Sequence, residues 1–409
     1  MVKISEAELE KVLKDREEDV EGVIKSFLSL KDNRRSFNIH YSLSEVLFLV
    51  LCAQLCGCES FREYESYGKV KINFLRCYLP YKYGVPSHTT IGRILAIFEP
   101  RELEKKFIEF TQRIVSSQDQ KEDAPENHVQ EESIGKEDII AIDGKTHCGL
   151  KRKKEDNSLH IVSAFSTRDG LTLGQVKVPD KTNEITAIPD LLDMIHITGQ
   201  IVTIDAAGCQ TGIARKIRSK GAGYILALKG NQGSLHEAVI DYFEEPGKLQ
   251  GCSFYERHNK GHGRIEHRQC YAAQPKVPDA FNKWQDFKTI IMLKSSRIIK
   301  EVEQKETRYF ISSLEPDAQK ILLATRLHWN IENNSHWVLD VVFKEDDRTI
   351  WNRNIAYNES IIRRVGLNLL KTYQKVAQPL VRSDKTPLKT VRKLIIADDD
   401  RMEQLLKCF

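Results

Sequence analysis

The strongest constraint on this chain is a pattern that occurs twice. Ile139-Ile-Ala-Ile-Asp143-Gly and Ile201-Val-Thr-Ile-Asp205-Ala each lead four strand-forming residues into an aspartate followed by small residues. Such short runs, mostly β-branched and without polar alternation, read as strands buried on both faces, which belong to a sheet covered by helices. In sheets of that kind ligands gather beyond the carboxyl ends of the strands, so two strands ending in an acid would aim both carboxylates into one crevice. Carboxylates that close repel each other unless a cation neutralises them, and a hard divalent ion such as Mg²⁺, which takes oxygen ligands, is the natural partner. Either aspartate alone reads better as a cap of the turn or helix after it. The repetition favours a shared site.

Around these strands the chain is organised in blocks. Residues 1–116 read as an all-helical domain: Ser42-Leu-Ser-Glu45 is a capping-box pattern, the run that follows is apolar on nearly all sides, and Gly84-Val-Pro-Ser-His-Thr-Thr90 breaks the chain before a helix capped by Thr89 or Thr90. Two helices joined by such a turn resemble a helix-turn-helix, a pattern shared with plain bundles. Residues 117–138 hold eight acids against Lys121 and Lys136 and almost no apolar residues, and read as a linker. Strands are expected at Ile139–Ile142, His160–Phe165, Gly174–Val178, Ile201–Ile204 and Tyr224–Leu228, with helices at 185–195 and 211–220. Together these make residues 139–250 the first part of a mixed α/β domain. Residues 251–312 read as a β-rich insertion, residues 313–375 as the helical second part of the domain, and residues 376–409 as a basic helical tail.

Composition limits the partners. With 409 residues, 41% hydrophobic and 29% charged, the chain is globular rather than disordered. Its longest apolar stretch, Val46 to Ala53, is far shorter than the roughly 20 residues that span a bilayer, so no membrane association is expected. The acidic amphipathic start lacks the marks of a signal peptide, and nine cysteines, an odd number, form no disulfide framework; both point to the cytoplasm. Residues 353–393 hold ten Lys or Arg against Glu359 and Asp384, which reads either as a solvated helix face or as a surface for a polyanion.

Six ordered motifs then carry a specific resemblance. Asp143-Gly-Lys145, Lys181-Thr-Asn183-Glu184, Asp205-Ala-Ala-Gly-Cys-Gln210, Leu228-Lys229-Gly-Asn-Gln232, His262-Gly-Arg264-Ile-Glu266 and Arg326-Leu-His328-Trp329-Asn-Ile-Glu332 resemble those of bacterial insertion-sequence DDE transposases, in the subgroup of the H-repeat-associated proteins. The similarity covers most of residues 30–375. It implies an RNase H-like mixed sheet flanked by helices and interrupted by the β-rich insertion, with Asp143, Asp205 and Glu332 as catalytic metal ligands. It implies Mg²⁺, for which Mn²⁺ can substitute, double-stranded DNA (element ends and target) as partner, a homodimer on that DNA, and a cytoplasmic, nucleoid-associated enzyme of DNA transposition and recombination.

Lys145, Lys181, Asn183, Lys229, Gln232, Arg264, Arg326, His328 and Trp329 lie in or beside the motifs and are the expected DNA contacts. Relatives often carry Tyr and Arg before the glutamate and a basic residue seven positions after it. Here Thr325, His328 and Leu339 stand there, leaving Arg326 and the His328-Trp329 pair to fill those roles. His328, Glu332 and His336 at i, i+4 and i+8 also allow a zinc reading, which leaves both aspartates unexplained. For the third acid, Glu345 and Asp346 read as exposed and Asp340 as partly buried, so Glu332 is preferred. A domesticated DNA-binding protein that has lost catalysis, or a nuclease of the same fold without strand transfer, are the alternatives; retention of all three acids counts against the first.

Overall fold

The computed structural model describes residues 23–32, 34, 39–119, 137–147, 159–179, 182–261, 264–275, 282–299, 302–347, 350, 352–376 and 386–407. Most of the acidic stretch, and Lys181, lie outside them. The amino-terminal part is helical: α1 (Val23–Leu28), α2 (Leu43–Leu55), α3 (Phe61–Val70), α4 (Ile72–Arg76), α5 (His88–Ile97) and α6 (Pro100–Asp119). Ser42 caps α2 as its sequence implies, its hydroxyl accepting from the Glu45 amide at 3.1 Å while Glu45 Oε2 accepts from the Ser42 amide at 2.9 Å. Every residue of α2 is buried, and each large aliphatic side chain so placed contributes roughly 2 kcal/mol. The cap of α5 is Ser87, not Thr89 or Thr90: its hydroxyl accepts from the Thr90 amide at 3.3 Å.

The sheet follows, with β1 (Ile139–His147), β2 (Leu159–Ser166), β3 (Leu171–Lys177), α7 (Glu184–Met194), β4 (Ile201–Ile204), α8 (Thr211–Ser219), β5 (Gly223–Leu228) and α9 (Gly233–Glu244), then β6 (Ser253–Gly261), β7 (Arg264–Ala273), β8 (Thr289–Ile299) and β9 (Val302–Ser312). Strand order is β3-β2-β1-β4-β5-β9-β8-β7-β6. Strands β1, β4 and β5 are parallel neighbours and β2 is antiparallel to both β1 and β3, which is the RNase H-like arrangement. The β-rich stretch forms no sheet of its own: β9 pairs antiparallel with β5, from Ile225↔Ser312 to Leu228↔Tyr309, so the insertion extends the same sheet.

The chain closes with α10 (Ala318–Leu327), a π-helical turn at Glu332–His336, α11 (Trp337–Val341), α12 (Arg353–Val376), α13 (Leu388–Ala397) and α14 (Asp399–Leu406). Helix α12 runs through a core shared by α1–α6, α13, α14 and the β2–β3 side chains Leu159, Ile161 and Leu171. The amino-terminal helices are therefore built onto the last part of the chain. Asn358 Nδ2 donates to the Leu95 and Phe98 carbonyls at 2.9 and 3.0 Å, and Asn368 brackets Thr172 of β3 by accepting from its amide and donating to its carbonyl.

This placement corrects the reading of the basic segment along α12, where Arg363, Arg364 and Lys371 are buried and form neither a solvated face nor a polyanion surface, while Lys375 near the helix end stays exposed. Arg363 and Arg364 are 2% and 0% exposed. The first pairs with Glu359 at 3.2 Å and the second with Glu345 at 3.0 Å. Lys371 and Lys375 donate to the carbonyls of Gly170 and Asp169 at 2.6 and 2.7 Å. A linear count of charge cannot separate a cation in water from one drawn into the core by a partner. Glu345 is corrected for the same reason: it is 1% exposed rather than on the surface.

Candidate active site

Strands β1 and β4 align through Ile142↔Ile204, so Asp143 and Asp205 occupy the next step on neighbouring parallel strands. Asp143 continues β1 opposite Ser163 of β2. Beyond β4 the backbone turns, and Asp205 Oδ1 accepts from the amides of Ala207 and Gly208 at 3.0 and 3.4 Å. A side chain at Gly208 would meet Ile204 Cγ2 at 2.3 Å, so packing requires glycine three positions after the acid. Gln232 secures this turn from the next loop, donating to the Cys209 carbonyl at 3.0 Å, and Asn231 Nδ2 donates to Ala206 O at 2.6 Å.

The third acid arrives on the segment after α10. Ile331 is fully buried with Ala141 of β1 and Phe165 of β2, which seats Glu332 over the end of the sheet. On either side, the His328 ring Nδ1 and Thr203 Oγ1 of β4 are 2.9 Å apart, and Ser335 Oγ meets Thr172 Oγ1 of β3 at 3.2 Å. The turn at Glu332–His336 is π-helical, a geometry frequent at functional sites. It brings His336 Nδ1 to 3.5 Å from Asp143 Oδ2. The single helical face that would have made His328, Glu332 and His336 a zinc triad therefore does not form, and the two imidazoles are spent on different strands.

Burial pushes the Asp143 carboxyl up to about 7, helped by the charges of Asp205, Glu332 and Glu184 and opposed by the Gly144 amide. Asp205 is raised as well, by partial desolvation of its carboxylate and by Glu184, while the Gly208 and Ala207 amides and Lys229 act the other way. Burial lowers His336 to about 3, with Arg364 and Lys145 in the same sense, so this imidazole is neutral beside the acids. The sequence motif around Glu184 does not by itself single out that residue. In the structure it enters from the start of α7 with its carboxylate bonded to His160.

The expected DNA contacts separate into two groups. Asn183, Lys229, Arg264, Arg326 and Trp329 are exposed or partly so. Arg326 donates to Asn259 Oδ1 at 3.0 Å and the Arg308 guanidinium lies 5.6 Å from the Trp329 ring centre. By contrast Gln232 and His328 are engaged internally, as above, and Lys145 is 10% exposed and ion-paired with Asp340, Glu345 and Asp346 at 2.6, 3.3 and 3.2 Å. Burial acts to lower the Lys145 pKa, but these carboxylates outweigh it and hold the ammonium charged. Lys145 thus ties β1 to the segment that follows Glu332.

Residues 134–369 match the Transposase DDE domain family, and residues 24–111 match the domain described as DDE_Tnp_1-associated. The chain belongs to the DDE transposase family. It is accordingly a transposase, a nuclease and strand transferase of DNA transposition. The H repeat-associated putative transposase YhhI of Escherichia coli K12 is 36% identical over 83% of this chain and 88% of its own. The putative transposase YncI of Escherichia coli O157:H7 is 37% identical over 87% and 89%. A piggyBac transposase synaptic complex with hairpin DNA overlays with a TM-score of 0.44 at 9% identity, covering 97% of this chain and 80% of that one. Among the described residues no helix is long and apolar enough to cross a membrane.

Proposed function

We propose that this transposase cuts DNA and joins the freed ends to target DNA at a centre formed by Asp143, Asp205 and Glu332. The observation that carries the reading is the convergence of three acids from β1, β4 and the π-helical turn, with Asp143 pushed up to about 7 by burial and by its acidic neighbours. An all-oxygen donor set of this kind suits a hard divalent ion, as this family generally uses. We assign two ions to the site, Mg²⁺ with Mn²⁺ as substitute. Asp143, Asp205 and Glu332 would hold them, and the ions would supply activation of the attacking oxygen and stabilisation of the departing 3′-oxygen. Nicking and joining are then one in-line reaction: an oxygen of water or of a 3′-hydroxyl forms the new bond to phosphorus and gives up its proton, while the P–O3′ bond breaks and the departing 3′-oxygen takes up a proton to leave a 3′-hydroxyl.

The protein's own groups supply alignment. The contacts of Ile331, His328 and Ser335 to four different strands hold Glu332 in place, and neutral His336 backs Asp143 without donating a competing charge. Exposed Lys229 beside Asp205, and Arg264 and Arg326 on the insertion side, bind phosphates of the element end and target, together with Asn183 at the head of α7 and Lys181 two positions earlier in the chain. Trp329 offers a ring on which an unpaired base can stack. A homodimer on the DNA and association with the nucleoid belong to the same reading. Asp143→Asn, Asp205→Asn and Glu332→Gln should each abolish Mg²⁺-dependent nicking and strand transfer while leaving DNA binding intact. Supplying 3′-hydroxyl donor ends with target DNA separates a transposase, which yields joined products, from a nuclease, which stops at nicks; activity within tenfold of wild type in any of the three variants would sink the assignment.

A further inference from the structure

A fourth carboxylate reaches the same crevice. Glu184 opens α7, and its Oε1 is bonded to His160 Nε2. The other His160 nitrogen, Nδ1, lies 2.8 Å from Thr146 Oγ1, and Thr146 and His160 are a cross-strand pair of β1 and β2. The imidazole is therefore fixed at both ends and sets the direction of Glu184. Between this pair and Asp143 stands Gly144, and a methyl group there would fall 2.0 Å from Glu184 Oε1 and 2.7 Å from His160 Nε2. Only glycine after the first aspartate lets this carboxylate come against the β1 backbone. His160 engages one oxygen of Glu184, and among the described residues Oε2 has no hydrogen-bond partner.

Resting on the metal centre proposed above, we infer that Glu184 is a fourth carboxylate ligand of that centre, acting beside Asp143 and Asp205, and that His160 is the positioning residue that aims it. A carboxylate held only as the partner of a surface histidine has no need to lie where its charge helps to raise both Asp143 and Asp205, a repulsion that a bound cation would relieve. A ligand has that need.

Mn²⁺ binding to the full-length protein without DNA, followed by the electron paramagnetic resonance of the free ion, tests this apart from activity. Glu184→Gln should weaken Mn²⁺ binding by at least about tenfold, and His160→Gln, which keeps a donor toward Glu184, should restore most of what His160→Ala loses. Should Glu184→Gln fail to fold, Gly144→Ala gives the same reading, because its methyl displaces the Glu184 carboxylate without removing any acid. Wild-type Mn²⁺ affinity in Glu184→Gln or in folded Gly144→Ala, with affinity lost in Asp143→Asn, overturns the role of Glu184 and leaves the three-acid centre standing. Wild-type affinity in Asp143→Asn as well overturns the centre itself.

Discussion

Removing the charge of Asp143 should make the metal-free protein more stable at alkaline pH and blind to divalent ions. In the folded chain burial and the neighbouring acids hold this carboxyl up to about 7, against an ordinary value of 3.8. Between those two values the folded protein binds a proton that the unfolded chain has released. Stability from this group is therefore complete below about pH 4 and declines until about pH 7. At about 1.36 kcal/mol per pH unit the whole displacement is worth about 4 kcal/mol, of which about 2–3 kcal/mol falls between about pH 5 and about pH 8. Asp143→Asn keeps the shape and removes the titration. Urea unfolding with a chelator present should show wild type losing about 2–3 kcal/mol relative to the variant over that interval. Millimolar Mg²⁺ should then stabilise wild type and leave the variant unchanged. Parallel pH curves for the two proteins would refute the argument, since the carboxyl would then carry no penalty for a metal ion to relieve.

Other expectations concern what is buried and what is not. Glu345→Gln strands the buried Arg364 charge, while Lys145 keeps Asp340 and Asp346, and should destabilise the fold by about 3–5 kcal/mol, read as a lower urea midpoint, with DNA cleavage disappearing only as unfolding sets in. Replacing Arg363, Arg364, Lys371 and Lys375 together should unfold the protein rather than alter its DNA affinity, which circular dichroism would show. Replacing Lys229, Arg264 and Arg326 should leave the fold intact and lower the salt dependence of DNA binding by about 0.9 in slope for each phosphate that is no longer neutralised; an unchanged slope would place the DNA elsewhere.

Much of the fold is legible because it is written in local pattern. The two strands ending in Asp143 and Asp205, the hairpin strands between them, and the capped, wholly apolar α2 follow from runs of residues whose burial their own composition dictates. The helix α9 and the closure of β9 onto β5 are not legible, the second because strand pairing across more than eighty residues leaves no local mark. Charge is misread wherever its partner is distant. Lys145 meets Glu345 from two hundred positions away, and Arg364 meets the same residue from the next helix. Each looks like a surface charge because the neutralising group is not nearby in the chain. Glu184 escapes notice for a related reason: its relation to Asp143 depends on the space beside Gly144, which only the paired strands define.

Glu332 shows how an acid 127 residues beyond Asp205 is still placed within the same crevice. The chain leaves the RNase H-like strands at β5, builds α9 and four strands, and returns through β9 hydrogen-bonded to β5 itself, so the insertion lengthens the sheet without moving its catalytic end. From there α10 recrosses toward β1 and β4, where the His328 contact to Thr203 and the burial of Ile331 against Ala141 and Phe165 stop it. Within the π-helical turn His336 meets Asp143 at 3.5 Å while Ser335 stays bonded to Thr172 of β3. Lys145 then fastens the far end of the segment to β1 through Asp340, Glu345 and Asp346. The separation in sequence is thus irrelevant to the position of the acid, which is set by contacts within a few residues on either side of it.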